Sequence, residues 1–224
     1  MTTRRTFSKT VFGMLAGIGA SPGSMAQQPV DQDDQDTLQP RGAPTGRVGA
    51  ATRGIREGAQ NLALDLVAPA RGVGLTSSDQ PTLCYLLTGT TSGSLRLTVS
   101  MRGQARPLAD LELPRPFSRF GVIDLRTLNV RLDPNQLYVW SVALRLDPKA
   151  PARDLVASAL VQYKPGGSAF DNAVRAASVE QQHALFEQNG YWYDEVALAA
   201  RDYARDKGSA LTALLGKAGL QAGK

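Results

Sequence analysis

A single histidine and a single cysteine bound the chemistry open to this chain. A thiolate or imidazole metal site draws three or four ligands from Cys, His, Asp and Glu. His183 stands in "EQQHALF" with no second histidine to join it, and Cys84 lies inside the apolar run "TLCYLL". His183 therefore reads as a half-exposed helical residue and Cys84 as a buried, inert thiol that has no partner for an intramolecular disulfide. Carboxylates alone can hold a hard cation. The densest acidic run, "DQDDQD" at 31–36, lacks the glycine and closing glutamate of a calcium loop and reads as solvated chain.

Nucleophilic and acid–base constellations are equally thin. Gly19-Ala20-Ser21-Pro22-Gly23 fits G-x-S-x-G, a pattern with meaning only on a strand–turn–helix. Here it falls in a leader. His183 has no serine that spacing places beside it. Glu57, Asp65, Asp110, Glu112 and Asp124 are spread along the chain with no pairing visible in sequence, so two-carboxylate glycosidase chemistry has no support. Asp194 and Glu195 fall in the first turn of a helix, where negative charge favours the helix dipole. The glycines at 72–74 and 166–167 are turns rather than phosphate-cradling loops. No catalytic residue, metal or cofactor is assigned from the sequence.

The elements that would position any site begin with that leader. Arg4, Arg5 and Lys9 precede a Gly-diluted apolar run, Val11–Ala20, and a small-x-small sequence ends at Ala26 before Gln27. The run is about half of the roughly 20 residues that span a bilayer, so cleavage between Ala26 and Gln27 is expected, with no stable membrane anchor afterwards. Arg4, Arg5, Phe7 and Lys9 together resemble the twin-arginine export motif, with Ser8 where leucine is commoner. The expected destination is the periplasm or the exterior. Losing the leader's three basic residues leaves 22 basic against 20 acidic side chains, too even a balance to steer the protein to nucleic acid or anionic lipid.

Behind the leader, residues 27–40 read as a disordered acidic tether. The Arg/Gly-rich segment 41–61 reads as an arm laid along the surface. From 62 to 165 the period is two. "SLRLTVSM" places Leu95, Leu97, Val99 and Met101 on one face, and "YVWSVALRL" and "LVASALVQY" behave alike. "LALDLV", "TLCYLLT", "PLADLEL" and "RFGVIDL" are shorter candidates. Seven to eight short strands in about 100 residues predict an antiparallel, immunoglobulin-like β-sandwich. After "KPGGS" the period becomes 3.6, and 169–220 is expected to be helical. Ser178 and Gln181 form a capping box, and Asn189-Gly190 ends the helix it opens. A second helix buries Tyr193, Val196 and Ala200, and a third carries Leu211, Leu214, Leu215 and Ala218. Strands first and helices second make an α+β chain.

Four stretches, "RGAPTGRVGAATRG", "LTSSDQPTLCYLL", "LYVWSVALRLDP" and "GYWYDEVALAARD", resemble the bacterial family called domain of unknown function 928, from about Arg41 to Asp206. The resemblance implies an exported domain and assigns no activity, ligand or catalytic residue. Residues 181–206, with Gly190, Tyr193, Asp194 and Glu195 in order, are also similar to a single tetratricopeptide-like hairpin. One such repeat cannot bury a core alone and must dock on something else.

What remains is Tyr191, Trp192 and Tyr193. Three consecutive aromatics at a helix start cannot all face one way, so the trio is the candidate interaction surface, most simply for another envelope protein. The sequence thus predicts an exported, non-catalytic binding module. The alternatives are a hydrolase built from carboxylates on separate loops, or an envelope protein that self-associates through a sheet edge.

Overall fold

A computed structural model describes residues 46–51, 62–114, 119–206 and 209–220. The leader residues Arg4, Arg5, Phe7, Lys9, Ala26 and Gln27, the tether, Glu57 and most of the arm lie outside the described residues. Nine strands come first: β1 (Ala50–Ala51), β2 (Ala63–Leu66), β3 (Gly74–Thr76), β4 (Thr82–Thr88), β5 (Ser94–Met101), β6 (Ala109–Leu113), β7 (Phe120–Asp124), β8 (Leu137–Arg145) and β9 (Leu155–Tyr163). Four helices follow: α1 (Gly167–Ala176), α2 (Val179–Asn189), α3 (Trp192–Asp206) and α4 (Ser209–Lys217). The chain is α+β, as the change of period requires.

The strands form two open sheets, ordered β1-β2-β4-β7 and β3-β9-β8-β5-β6. Their inner faces share one core. Leu64, Leu83, Tyr85 and Ile123 come from the first sheet, and Leu97, Tyr138, Trp140, Val142 and Ala159 from the second. The strict alternation of β5 and β8 follows from this, because their other faces carry solvated groups such as Arg96, Thr98 and Arg145.

Strand β4 explains why "TLCYLL" reads as a continuous apolar run. Leu83, Tyr85 and Leu87 face the core between the sheets. Cys84 and Leu86 face the opposite way, into a second cluster with Val196, Ala199, Leu211, Leu214 and Leu215 of α3 and α4. Helices therefore cover the outer face of the four-stranded sheet. Burial pushes the Cys84 thiol far up from its ordinary range, which keeps it protonated and unreactive.

Three features depart from the expectation. Eight strands lie within 62–165, as expected, with β1 added from the arm, but β3 runs parallel to β9 while the other pairings are antiparallel. At three residues β3 is too short to show a period. An additional helix, α1, precedes the capping box. Its Phe170 and Val174 lean on Phe186, Tyr191 and Leu198. The end of the arm is also more than a surface strap. Val48 bridges to Ser158 of one sheet, β1 pairs with β2 of the other, and Arg47 donates to Leu66 O and to Ala218 O at the end of α4.

The helix ends behave as their residues dictate. Ser178 N donates to Gln181 Oε1 at 2.9 Å while Ser178 Oγ accepts from Gln181 N, the reciprocal capping box. Gly190 takes φ +72°, a left-handed value that glycine reaches without penalty, and turns the chain into α3. Among the described residues, no helix is long and apolar enough to cross a membrane.

Candidate binding cleft

A cleft of about 580 Å3 opens where the strands meet the helices, a size that accommodates a small organic ligand. Its floor is the end of the helix-covered face of the four-stranded sheet, where Thr82 on β4 pairs with Asp124 on β7. The loop Thr76–Pro81 closes one side. Helix α3 supplies another wall through Asp194, Ala197, Leu198 and Arg201, residues three and four apart that share a helix face. The apolar wall opposite is Phe170 and Val174 of α1 with Phe186 of α2. The strand and helix portions of the chain thus build the cleft jointly.

A pair of hydrogen bonds joins these portions at the cleft. Ser77 Oγ donates to Asp194 Oδ1 at 2.6 Å, and Ser77 N donates to Asp194 Oδ2 at 2.9 Å. Both carboxylate oxygens are engaged by a single loop residue 117 positions away. Burial raises the Asp194 pKa above its ordinary value, and hydrogen bonds from Ser77 and Thr76 pull it back down. A carboxyl whose folded pKa exceeds its unfolded one binds more protons in the folded state, so stability falls as pH climbs from about 4 through the raised value. Asp194→Asn is therefore expected to remove that descending segment from the plot of unfolding free energy against pH, measured by urea denaturation. An unchanged slope would mean that Asp194 ionises as freely as an exposed aspartate.

The remaining candidates are placed as follows. His183 Nε2 lies 3.7 Å from Asp202 Oδ2 across the α2–α3 contact and is not a lining residue of the cleft. The strand carboxylates are better paired than sequence showed. Arg96 donates Nε and Nη2 to Asp110, each at 2.5 Å, and Arg145 Nη1 donates to Glu112 at 3.2 Å. These pairs sit on the solvated face of the five-stranded sheet. Asp124 Oδ1 accepts the backbone N–H of Arg126. Among the described residues, no three of His, Cys, Asp and Glu gather as a metal would need.

The aromatic trio needs correction as an interaction surface. Tyr193 is fully buried, and Tyr191 is 6% exposed against Phe170, their ring centroids 4.9 Å apart. Trp192 is half-buried between the two larger clusters, with Nε1 donating to Val67 O at 3.4 Å. The helix start is sunk against the two sheets, so all three directions that the trio points in meet protein. Tyr191 and Tyr193 are packing residues.

Sequence reasoning missed Ser77, Arg126, Phe170 and Arg201 and gave Asp194 only a role at the helix dipole. A signal existed. "LTSSDQPTLCYLL" and "GYWYDEVALAARD", two of the stretches that carry the family resemblance, meet at the Ser77–Asp194 contact.

The family described as Domain of Unknown Function (DUF928) matches residues 48–222. The chain belongs to this family, whose domain takes in both sheets and the four helices. No curated protein matches the chain.

Proposed function

We propose that this protein is an exported, non-catalytic binding module that takes its ligand in the cleft between the sheet end and helices α1–α3. The observation that carries the reading is the cleft itself, walled by strands and helices and latched by Ser77–Asp194. A twin-arginine-type leader ending at Ala26 would deliver it to the periplasm or the exterior.

Strand order supports an immunoglobulin-like platform. The order β3-β9-β8-β5-β6, with β3 parallel to β9, is that of a variable-type sheet whose first strand crosses over. Tyr138 opens β8, and its hydroxyl accepts from the backbone N–H of Asp133, five residues upstream, at 3.0 Å. That is the geometry of a tyrosine corner. The α2–α3 pair reads as one tetratricopeptide-like hairpin whose missing neighbours are replaced by the sheet. Such platforms host many functions, so the cleft and not the fold carries the proposal. An envelope protein as partner would have to engage the cleft, since Tyr191 and Tyr193 are covered.

The hydrolase alternative gains one observation: Ser77, Asp124, Asp171 and Asp194 line the same cleft. Against it, both Asp194 oxygens already accept from Ser77, an arrangement that fixes a loop. Two measurements test the proposal. The exported chain should have an intact mass beginning at Gln27. Amide chemical-shift mapping with mixtures of small organic fragments should move signals from Thr76–Thr82, Asp124–Arg126 and Asp194–Arg201. Shifts confined to the solvated face of the five-stranded sheet would overturn it.

A further inference from the structure

We infer that the ligand of the cleft is an amphipathic organic anion, a carboxylate or phosphate ester on an apolar body, bound between Arg126, Arg201 and Phe170. The inference rests on the cleft being the binding site and adds the class of ligand.

The two unpaired arginines of the cleft carry it. Arg126, just beyond β7, and Arg201, two turns into α3, come from elements 75 residues apart in sequence and line one cavity. Neither guanidinium makes a hydrogen bond or ion pair to another described residue. Several other arginines of the fold do: Arg96 holds Asp110, Arg131 holds Asp79, and Arg145 holds Glu112. Arg175, also lining the cleft, is turned back to Asn172 Oδ1 and Asp171 O on its own helix.

The three aspartates that line the cleft balance its three arginines in formal charge, but none of them contacts the Arg126 or Arg201 guanidinium. Asp194 is engaged on both oxygens by Ser77. Asp124 Oδ1 accepts the Arg126 backbone N–H, so it ties down the main chain and leaves the guanidinium open. Asp171 is exposed on α1, beside the apolar wall. Two guanidinium forks without a hydrogen-bond partner among the described residues therefore line the cavity. Guanidinium groups recognise carboxylate and phosphate through paired N–H donors. Beyond the arginines lies apolar surface from Phe170, Val174 and Leu198, which would cover the body of such a ligand. A bare inorganic anion would leave that wall unused.

The test uses the full chain, labelled with 15N and titrated with benzoate, phenyl phosphate, inorganic phosphate, benzyl alcohol and benzylamine. Benzoate or phenyl phosphate is expected to shift cleft amides with an affinity at least about tenfold above benzyl alcohol, and added salt should narrow the gap. The preferred member of the pair distinguishes carboxylate from phosphate. Arg126→Gln and Arg201→Gln should each weaken anion binding about tenfold while leaving the melting temperature unchanged, because both side chains are exposed. If benzyl alcohol or benzylamine binds the cleft as well as the anions, the cleft remains a binding site and the anion class is wrong. Inorganic phosphate binding as tightly as phenyl phosphate would remove the amphipathic requirement. If no probe moves a cleft amide, both the inference and the binding reading fall.

Discussion

Tyr193→Phe is expected to lower the unfolding free energy by about 2–4 kcal/mol, although it removes one oxygen atom and leaves the ring in place. The hydroxyl sits at the junction of the two halves of the chain. Trp140 Nε1 donates to it at 2.8 Å, and it donates to Leu160 O at 2.9 Å. All of this lies in fully excluded space, so phenylalanine leaves an indole N–H and a carbonyl without these partners and without water. Burial pushes the phenol pKa well up from its ordinary value, so the group remains a donor throughout the accessible pH range. Denaturant unfolding followed by tryptophan fluorescence reads the effect directly. A loss below about 0.5 kcal/mol would mean that the bonds are replaced on relaxation and that Tyr193 acts through its ring alone.

Gly74→Ala is expected to cost about 2–3 kcal/mol for a related reason. A methyl group built on Gly74 would stand 2.4 Å from Tyr193 Cε2 and 3.1 Å from Cδ2, closer than side-chain atoms pack. The ring cannot swing away, because its hydroxyl is held by Trp140 and Leu160. Glycine at β3 is thus needed for close approach of α3 to the sheet. A double-mutant cycle checks this cause. In the Tyr193→Ala background, Gly74→Ala should cost less than about 0.5 kcal/mol, since the space is then vacant. An equal cost in both backgrounds would place the strain in the β3 backbone instead.

These two substitutions bear on function through geometry. Tyr193 and Asp194 are successive residues: the first anchors α3 in the core and the second latches the Ser77 loop at the cleft. Loosening the first should blur the position of the second. The cleft therefore depends on a tyrosine that the helical period places on the buried face of α3, although it also belongs to the aromatic trio.

The aromatic trio shows where the sequence stops being informative. Period-two alternation located β5, β8 and β9 nearly to the residue, because each has one wet face and one dry face. The capping box and Gly190 marked the ends of α2, because their hydrogen bonds are local. The α+β class and the absence of a histidine or cysteine constellation followed from composition and period alone. Tertiary structure decided the rest. The pairing of β3 with β9, the burial of Tyr191, and the meeting of Ser77 with Asp194 join segments 117 residues apart in the last case, and local pattern carries no record of such distances. An aromatic at a helix start has the same sequence signature whether it faces water or a sheet, and only the approach of the sheet makes it core. Arg126 and Arg201 look like ordinary surface charges along the chain. Their convergence on one cavity comes from the way α3 crosses the end of the sheet, and that crossing is set by the packing of Tyr193 beneath Gly74.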